Sequence, residues 1–313
     1  MRTTRLGTTG IETTALGFGC ADLFRLPTRA ARRRLLDAAL DAGLAHFDAA
    51  PMYGLGEVEG ELGRALSGRR DRVVLATKFG IEPTALARSL GVVQAPLQQI
   101  LRRVARAEHA VRPRAADPRA GRVGAVLYRA AYDPGAARAS LERSLRALRT
   151  DYVDLYLVHD PEPGSPTSDG LRGYLEEEVR AGRVRSWGVA GEPAAVAAAA
   201  RALAPVPVTQ TRSDILEPAE ATIVFGAVGR ALARIRLHLR DDERRHAWSK
   251  ALDTDLASTD MLARLLVADA LRRSATVLVS TTIPGRVARL AGAETVDDAA
   301  VDALRKLVGS ELA

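Results

Sequence analysis

Val73-Val74-Leu75-Ala76-Thr77-Lys78 is the segment that indicates the fold class most clearly. Its apolar residues run together without polar alternation. This pattern is typical of a strand buried on both faces, in a parallel sheet that helices cover. Val277-Leu278-Val279 has the same character. The chain therefore favours an α/β fold with a parallel sheet.

Eight strand candidates are spaced along the chain, and amphipathic helical runs separate most of them. Thr28 is a candidate cap for the first helix, and Gly43, Gly68 and Gly182 fall where helices should stop. Eight strands with intervening helices predict a (β/α)8 TIM barrel. The predicted strands are 16–18, 45–48, 73–78, 153–159, 186–190, 206–210, 222–225 and 276–280, and the predicted helices are 30–42, 57–66, 136–148, 171–181, 194–203 and 261–272.

Several segments do not follow this alternation of strands and helices. Residues 1–15 hold two β-prone runs around a glycine-rich turn, which predicts an N-terminal β-hairpin. A long Arg-rich insertion, 80–134, follows strand 3 and carries one helical stretch near 96–109. A second insertion, 226–260, contains a basic helix over about 228–252. We expect one barrel domain over 1–313, with both insertions over the active face.

The connection between strands 6 and 7 is short. Only eleven residues separate Gln210 from Thr222. That length is too small for an ordinary connecting helix, so we predict that the helix after strand 6 is missing or reduced.

Composition excludes several classes of function. The formal net charge is +7, but only three of the 45 basic residues are lysines, and aromatics make up 4% of the chain. The basic runs lack interleaved aromatics, so we expect no nucleic-acid partner, and at most a diffuse attraction to anionic ligands such as a phosphorylated cofactor. Cys20 is the single cysteine, and no apolar run of about 20 residues occurs. We expect a cytoplasmic protein with no membrane partner.

Four ionisable residues stand at or just beyond predicted strand ends, where barrel enzymes place reacting groups. They are Asp48, Tyr53, Lys78 and His159. A lysine ammonium beside a phenol lowers the pKa of the phenol, and a carboxylate keeps that lysine charged. A histidine can orient a substrate oxygen. The set suits proton transfer to a carbonyl oxygen whose carbon gains a hydride, and a hydride needs a cofactor.

Two other chemistries are weaker interpretations. Gly54 and Gly56 before a helix could form a dinucleotide-binding loop, but that motif needs an acidic residue at the end of the next strand, where Lys78 stands. A metal-dependent hydrolase needs clustered histidines and carboxylates at strand ends. Only His46 and His159 qualify there, so we expect no metal.

Long motifs around the four residues resemble those of the aldo-keto reductases. The resemblance runs from about residue 5 to 190 and resumes near 260. It implies a TIM barrel in which Tyr53 is the general acid or base, Lys78 lowers its pKa, Asp48 pairs with Lys78, and His159 orients the carbonyl. The matching segments are GLAHFDAAPMYG at 43–54, ATKFG at 76–80, SLERSLRALRTDYVDLYLVH at 140–159 and GRVRSWGV at 182–189.

The same resemblance implies an NADP cofactor, with NAD as the alternative, extended across the strand ends. Gln210 and Phe225 match the positions that hold the nicotinamide. The phosphate and adenosine end falls between the last strand and a helix, where an arginine and a helix N-terminus suit an anion. The implied cofactor residues are Gly19, Cys20, Asp48, Gln210, Phe225, Gly226, Ser280, Thr281, Thr282 and Arg286.

Some positions depart from the family pattern on the cofactor side. Ala190-Gly191 stands where a polar Ser/Asn-type pair is usual, and the pattern after the seventh strand is reduced to Phe225-Gly226-Ala227-Val228. Ile283 replaces a frequent arginine, and Arg289-Leu290 replaces a glutamate–asparagine pair. A weaker resemblance points to an aldose or galactose dehydrogenase-like branch.

The resemblance leaves two functions open. The first is an enzyme that acts on a small carbonyl or sugar as a monomer or weak homo-oligomer. The second is a non-catalytic regulatory member of the family that binds the cofactor.

Overall fold

The computed structural model of the protein describes residues 1–91, 126–161, 169–256 and 258–312. Eight parallel strands close into a barrel, and their spatial order is their order along the chain. This confirms the predicted TIM barrel. The barrel strands are β3 (Leu16–Gly19), β4 (His46–Asp48), β5 (Val74–Phe79), β8 (Val153–His159), β9 (Val184–Gly191), β10 (Val208–Arg212), β11 (Ile223–Phe225) and β12 (Thr276–Val279).

Short antiparallel hairpins accompany the barrel at two places. The predicted N-terminal hairpin forms from β1 (Thr3–Arg5) and β2 (Glu12–Thr14). Its loop buries Leu6 and Ile11 against the apolar side chains of the barrel interior, so it closes that end of the barrel. The second hairpin, from β6 (Ile81–Pro83) and β7 (Tyr128–Ala130), brackets the long insertion.

Helices cover the outer face of the barrel. Side-chain caps fix several starts: Thr28 accepts from the backbone N–H of Ala31, as its sequence position predicts, and Asp133 accepts from Ala136. No helix in the described ranges combines the length and apolarity needed to cross a membrane. The helices are α1 (Arg29–Asp41), α2 (Val58–Ala65), α3 (Pro134–Leu148), α4 (Asp169–Arg180), α5 (Pro193–Ala202), α6 (Gly229–His238), α7 (Asp242–Ala251), α8 (Thr259–Leu271), α9 (Pro284–Ala291) and α10 (Asp298–Glu311).

The core has two layers because side chains alternate across each strand. On β8, Leu155 and Leu157 point into the barrel, whereas Tyr156 and Val158 pack outward under the helices. Continuous apolar strands are therefore the correct signature of this fold, since both faces are buried.

The insertions differ in part from the sequence-based expectation. No helix lies between β10 and β11, as predicted. The single basic helix expected over 228–252 is wrong: it is divided into α6 and α7. Asp241 starts the second helix, because its side chain accepts from the backbone N–H of Arg244. The helical stretch predicted near 96–109 lies outside the described residues.

Asp154 joins three strands at the amino-terminal end of the barrel. Its buried carboxylate accepts from the backbone N–H of Leu75 at 2.8 Å, from Arg70 at 2.7 Å and from Arg185 at 2.8 Å. Each oxygen thus has a charged partner, which makes burial of the carboxylate tolerable.

Asp154→Asn should lower the free energy of unfolding by about 3 kcal/mol, the scale for breaking a buried ion pair from one side. Urea denaturation followed by circular dichroism measures this loss. Asp151→Asn is the matched control, because Asp151 is exposed, and it should change stability by less than about 0.5 kcal/mol. Equal effects of the two variants would contradict the structural role of Asp154.

His46 is a buried polar residue inside the barrel. Its ring lies beside Gly17, where a Cβ would lie 3.0 Å from the Cβ of His46. Neither ring nitrogen has a hydrogen-bond partner among the described residues. Burial lowers the pKa of His46 to about 4, so the folded protein keeps the ring neutral at pH 7.

The unfolded chain protonates this histidine near pH 6.5, whereas the folded protein does so near pH 4. The contribution of the neutral ring to the free energy of unfolding is therefore complete above pH 6.5 and is lost as the pH falls toward 4. Between pH 7 and pH 5 the loss should be about 2 kcal/mol, measured by urea denaturation at both pH values. His46→Leu should remove most of this pH dependence. His246→Leu, at an exposed histidine, should retain it.

Candidate active site

A buried ion pair between Lys78 and Asp48 lies at the carboxyl ends of the neighbouring strands β5 and β4. Nζ of Lys78 donates to both carboxylate oxygens of Asp48, at 2.6 and 2.7 Å. It also donates to the backbone carbonyl of Ala49, at 2.9 Å. Lys78 is 1% exposed and Asp48 3%, so each charge makes burial of the other tolerable.

These contacts decide how Lys78 can act. An ammonium has three N–H donors, and Asp48 and Ala49 accept all three. Nζ lies 5.2 Å from the centre of the Tyr53 ring. Lys78 therefore supplies a fixed positive charge beside Tyr53, and the hydrogen bonds of its ammonium hold it to β4 and the residue that follows it.

Tyr53 and His159 face each other next to this pair. Tyr53 begins a short 3-10 turn, Tyr53–Gly56, beyond β4, and His159 is the last residue of β8. Their ring centres are 5.9 Å apart, and the planes meet edge-on at 87°. The barrel thus brings together all four residues that the sequence singles out for proton transfer.

The pKa of Tyr53 differs from the sequence-based expectation. Burial raises the pKa of the phenol well above its ordinary value of 10.0, and the carboxylates of Asp48 and Asp160 raise it further. The sequence predicts that Lys78 lowers the pKa of this phenol, but in the structure burial and the nearby carboxylates outweigh the lysine charge. The phenol therefore stays protonated at neutral pH, which is the form that can donate a proton to a carbonyl oxygen.

Tyr132 braces the end of β8 behind His159. Its hydroxyl donates toward the backbone carbonyls of His159 and Asp160, with oxygen separations of 3.1 and 2.8 Å. Gly80 makes room for it, because a Cβ there would lie 2.2 Å from the Tyr132 ring. Sequence reasoning missed this positioning residue, since it lies near the end of the insertion 80–134 and no strand-end pattern marks it.

Three residues on neighbouring strands form a row that leads from His159 to the other half of the site, where a cofactor is expected. His159 on β8, Ala190 on β9 and Gln210 on β10 are in register. Gln210 is 2% exposed, and its Oε1 has no hydrogen-bond partner among the described residues. A buried amide oxygen without a partner is unfavourable, so it fits a ligand that brings an N–H group.

Phe225 and Gly226 lie at the next strand end. Phe225 is partly buried and packs against the apolar residues of the barrel interior. Gly226 has φ +80°, and a Cβ there would lie 3.1 Å from Cγ of Arg212. These positions agree with a flat ligand group placed between Gln210 and the ring of Phe225.

The residues predicted for the phosphate and adenosine end lie between β12 and α9. The hydroxyl of Ser280 bonds with the carboxylate of Asp22 at 3.3 Å, and Oγ1 of Thr281 accepts from the backbone N–H of Ile283 at 3.1 Å. Thr282 and Arg286 are partly exposed at the start of α9. Within the described part of the chain, no carboxylate pairs with Arg286, so its charge is available to an anion.

The first barrel strand ends with two further predicted cofactor residues. Gly19 is partly exposed and in register with Asp48. Cys20 is fully buried, and its backbone N–H and carbonyl already bond to Asp48 and Leu23. Burial also raises the pKa of the Cys20 thiol. Because the Cys20 side chain is fully buried in this structure, a contact between its sulfur and a cofactor stays a prediction.

The rim of the site holds charged residues that sequence reasoning passed over. Arg212, the last residue of β10, bonds through its guanidinium to Glu192, with Nε at 3.0 Å. Asp160 directly follows His159, and its Oδ1 accepts from the backbone N–H of Glu192 at 3.1 Å. Their positions at strand ends are the signal that could have identified them.

Asp48→Asn should lower the pKa of Tyr53, because it removes a negative charge and leaves the Lys78 ammonium uncompensated. The difference in tyrosinate absorbance between each protein and its Tyr53→Phe counterpart isolates this one phenol. We expect ionisation of Tyr53 at lower pH in the Asp48→Asn background. An unchanged or higher titration midpoint would show that burial alone sets the pKa.

Curated relatives match parts of the chain. The aldo-keto reductase YhdN of Bacillus subtilis is 28% identical over 223 residues, which are 69% of this chain and 55% of the relative. Pyridoxal 4-dehydrogenase of Microbacterium luteolum is 46% identical over 78 residues, 24% of this chain and 23% of that protein. The chain thus spans about half or less of the length of these relatives.

A solved structure and a family model match over longer ranges. The aldo-keto reductase AKR11C1 of Bacillus halodurans, in its holo form, superposes with a TM-score of 0.69 at 21% identity, covering 98% of this chain and 96% of the other. That likeness supports the fold. The model of the aldo/keto reductase family matches residues 15–228, a range that includes Asp48, Tyr53, Lys78 and His159. The chain belongs to the aldo/keto reductase family.

Proposed function

We propose that this protein is an NAD(P)-dependent oxidoreductase that interconverts a carbonyl compound and its alcohol, with Tyr53 as the general acid and base. The observation that carries the proposal is the buried Lys78–Asp48 pair, beside a protonated Tyr53 that faces His159. A charged pair buried at a barrel mouth, next to a phenol of shifted pKa, is typical of an active site.

In reduction, the Tyr53 hydroxyl gives its proton to the carbonyl oxygen. The nicotinamide, when bound, supplies the hydride that reaches the carbonyl carbon. The phenolate left behind lies near the positive charge of Lys78, which stabilises it. His159 orients the carbonyl oxygen toward Tyr53. In oxidation, the phenolate accepts the alcohol proton as the hydride leaves the carbon.

The cofactor we propose is NADP, with NAD as the alternative. Oε1 of Gln210, which has no partner among the described residues, would accept from the carboxamide of the nicotinamide, and Phe225 would hold its ring. Because Asp22 bonds to Ser280 and repels a phosphate there, we assign the phosphate contacts to Thr282 and Arg286. The positive end of the α9 helix dipole also favours an anion there.

The substrate we propose is a polar aldehyde, ketone or sugar. Asp160, Glu192 and Arg212 surround the mouth of the site, and such a rim favours hydroxylated substrates over apolar ones, because their hydroxyl groups can replace water at charged side chains. A relative of part of the chain carries the name pyridoxal 4-dehydrogenase, which denotes a polar aldehyde.

Tyr53→Phe should bind NADPH as tightly as the wild type but lose at least about 100-fold in kcat, because the ring stays and only the proton donor is removed. Fluorescence titration gives the affinity, and NADPH oxidation with a panel of aldehydes and sugars gives the rate. Tyr152→Phe is the control, because Tyr152 precedes β8 at the opposite end of the barrel and packs on Arg70. Its rate should match the wild type.

Two outcomes would contradict the proposal. Turnover by Tyr53→Phe at the wild-type rate would show that Tyr53 is not the general acid and base. Tight binding of NADPH by the wild type, with no turnover of any carbonyl compound in the panel, would instead favour a regulatory protein that binds the cofactor.

A further inference from the structure

The ends of β8 and β9 approach each other too closely for a side chain at residue 191. Gly191 has φ +155°, and a Cβ built on it would lie 2.3 Å from Oδ1 of Asp160. Asp160 has φ +44°, a left-handed conformation that few residues other than glycine adopt. The Asp160 carboxylate thus occupies the space that a side chain at 191 would fill.

Hydrogen bonds hold this carboxylate in place. Oδ1 accepts from the backbone N–H of Glu192 at 3.1 Å, and the backbone N–H of Asp160 donates to the carbonyl of Ala190 at 2.7 Å. The hydroxyl of Thr211 donates to the carbonyl of Gly191 at 2.9 Å. Since a strained backbone persists only when its surroundings hold it, this arrangement marks Asp160 as a functional candidate.

The position of Asp160 connects both halves of the site. It directly follows His159, and its charge acts on Tyr53, because it raises the pKa of that phenol. Ala190 and Gly191, which lie between Asp160 and Gln210 in the sheet, have no polar side chain. Ala190 is in register with His159 on one side and Gln210 on the other, and Gly191 with Thr211, whose hydroxyl already donates to the Gly191 carbonyl. Asp160 and Gln210 therefore flank this gap, each with a side-chain oxygen that can accept a hydrogen bond.

We propose that Asp160 contacts the nicotinamide in place of the polar side chains missing at 190 and 191, and makes the pocket bind the oxidised cofactor more tightly than the reduced one. This inference rests on the proposed function. The nicotinamide ring is positively charged when oxidised and neutral when reduced, so a fixed carboxylate favours the oxidised form. In a mixture of oxidised and reduced cofactor, such a pocket binds mainly the oxidised form, which is the form that accepts a hydride from an alcohol.

Dissociation constants of NADP⁺ and NADPH, measured by calorimetric titration, test this preference without turnover. In Asp160→Asn, Kd for NADP⁺ should rise about tenfold and Kd for NADPH by less than about twofold, the scale expected for one charge pair near a protein surface. Asparagine still accepts from Glu192 and tolerates the left-handed backbone. Asp160→Ser is a second neutral variant and should shift the ratio in the same direction. If NAD binds more tightly, NAD⁺ and NADH are titrated instead.

Glu192→Gln is the matched control, because it removes a neighbouring rim carboxylate that is half exposed and paired with Arg212. It should leave the ratio of the two constants unchanged. An unchanged ratio in both Asp160 variants, or an equal shift in Glu192→Gln, would overturn the assignment to Asp160. Failure of the wild type to bind either form of either cofactor would refute the proposed function itself.

Discussion

The ion pair between Lys78 and Asp48 is the interaction on which the site depends. A lysine ammonium inside a barrel needs a negative charge and acceptors for each N–H, and Asp48 and Ala49 supply both. Because β4 and β5 are neighbours in register, the closed sheet sets the geometry of the pair. The pair in turn anchors the start of the segment that carries Tyr53, where burial and the Asp48 carboxylate raise the pKa of the phenol.

The two halves of the site are built differently. The proton-transfer half centres on the buried pair of Lys78 and Asp48, which satisfy each other, and Tyr132 supports His159 from behind. The opposite half consists of small residues, Ala190 and Gly191, beside a buried amide oxygen of Gln210 that lacks a partner. A rigid set of groups suits the transfer of one proton. An open wall with an unsatisfied acceptor suits a flat ligand that brings its own donors.

Most of the architecture follows from local signals in the sequence. Apolar runs without alternation, such as 73–78, mark strands buried on both faces, and glycines and capping side chains mark helix ends. The single helix expected over 228–252 failed because periodicity continued across Asp241, whose side chain starts a new helix. The predicted direction of the Tyr53 pKa shift was wrong. Residue types alone show neither how deeply the phenol is buried nor that Lys78 is already paired with Asp48.

The barrel, the family motifs and the four residues at the strand ends follow from the amino-acid sequence, because strand periodicity and strand-end position are properties of the local chain. The way those residues act follows from contacts in the folded protein. The fold gives acceptors to all three donors of Lys78, buries Cys20 and brings Asp160 against Gly191. Contacts of this kind join residues far apart in the chain, and their energies depend on distances and on exclusion of water, which no spacing along the sequence records.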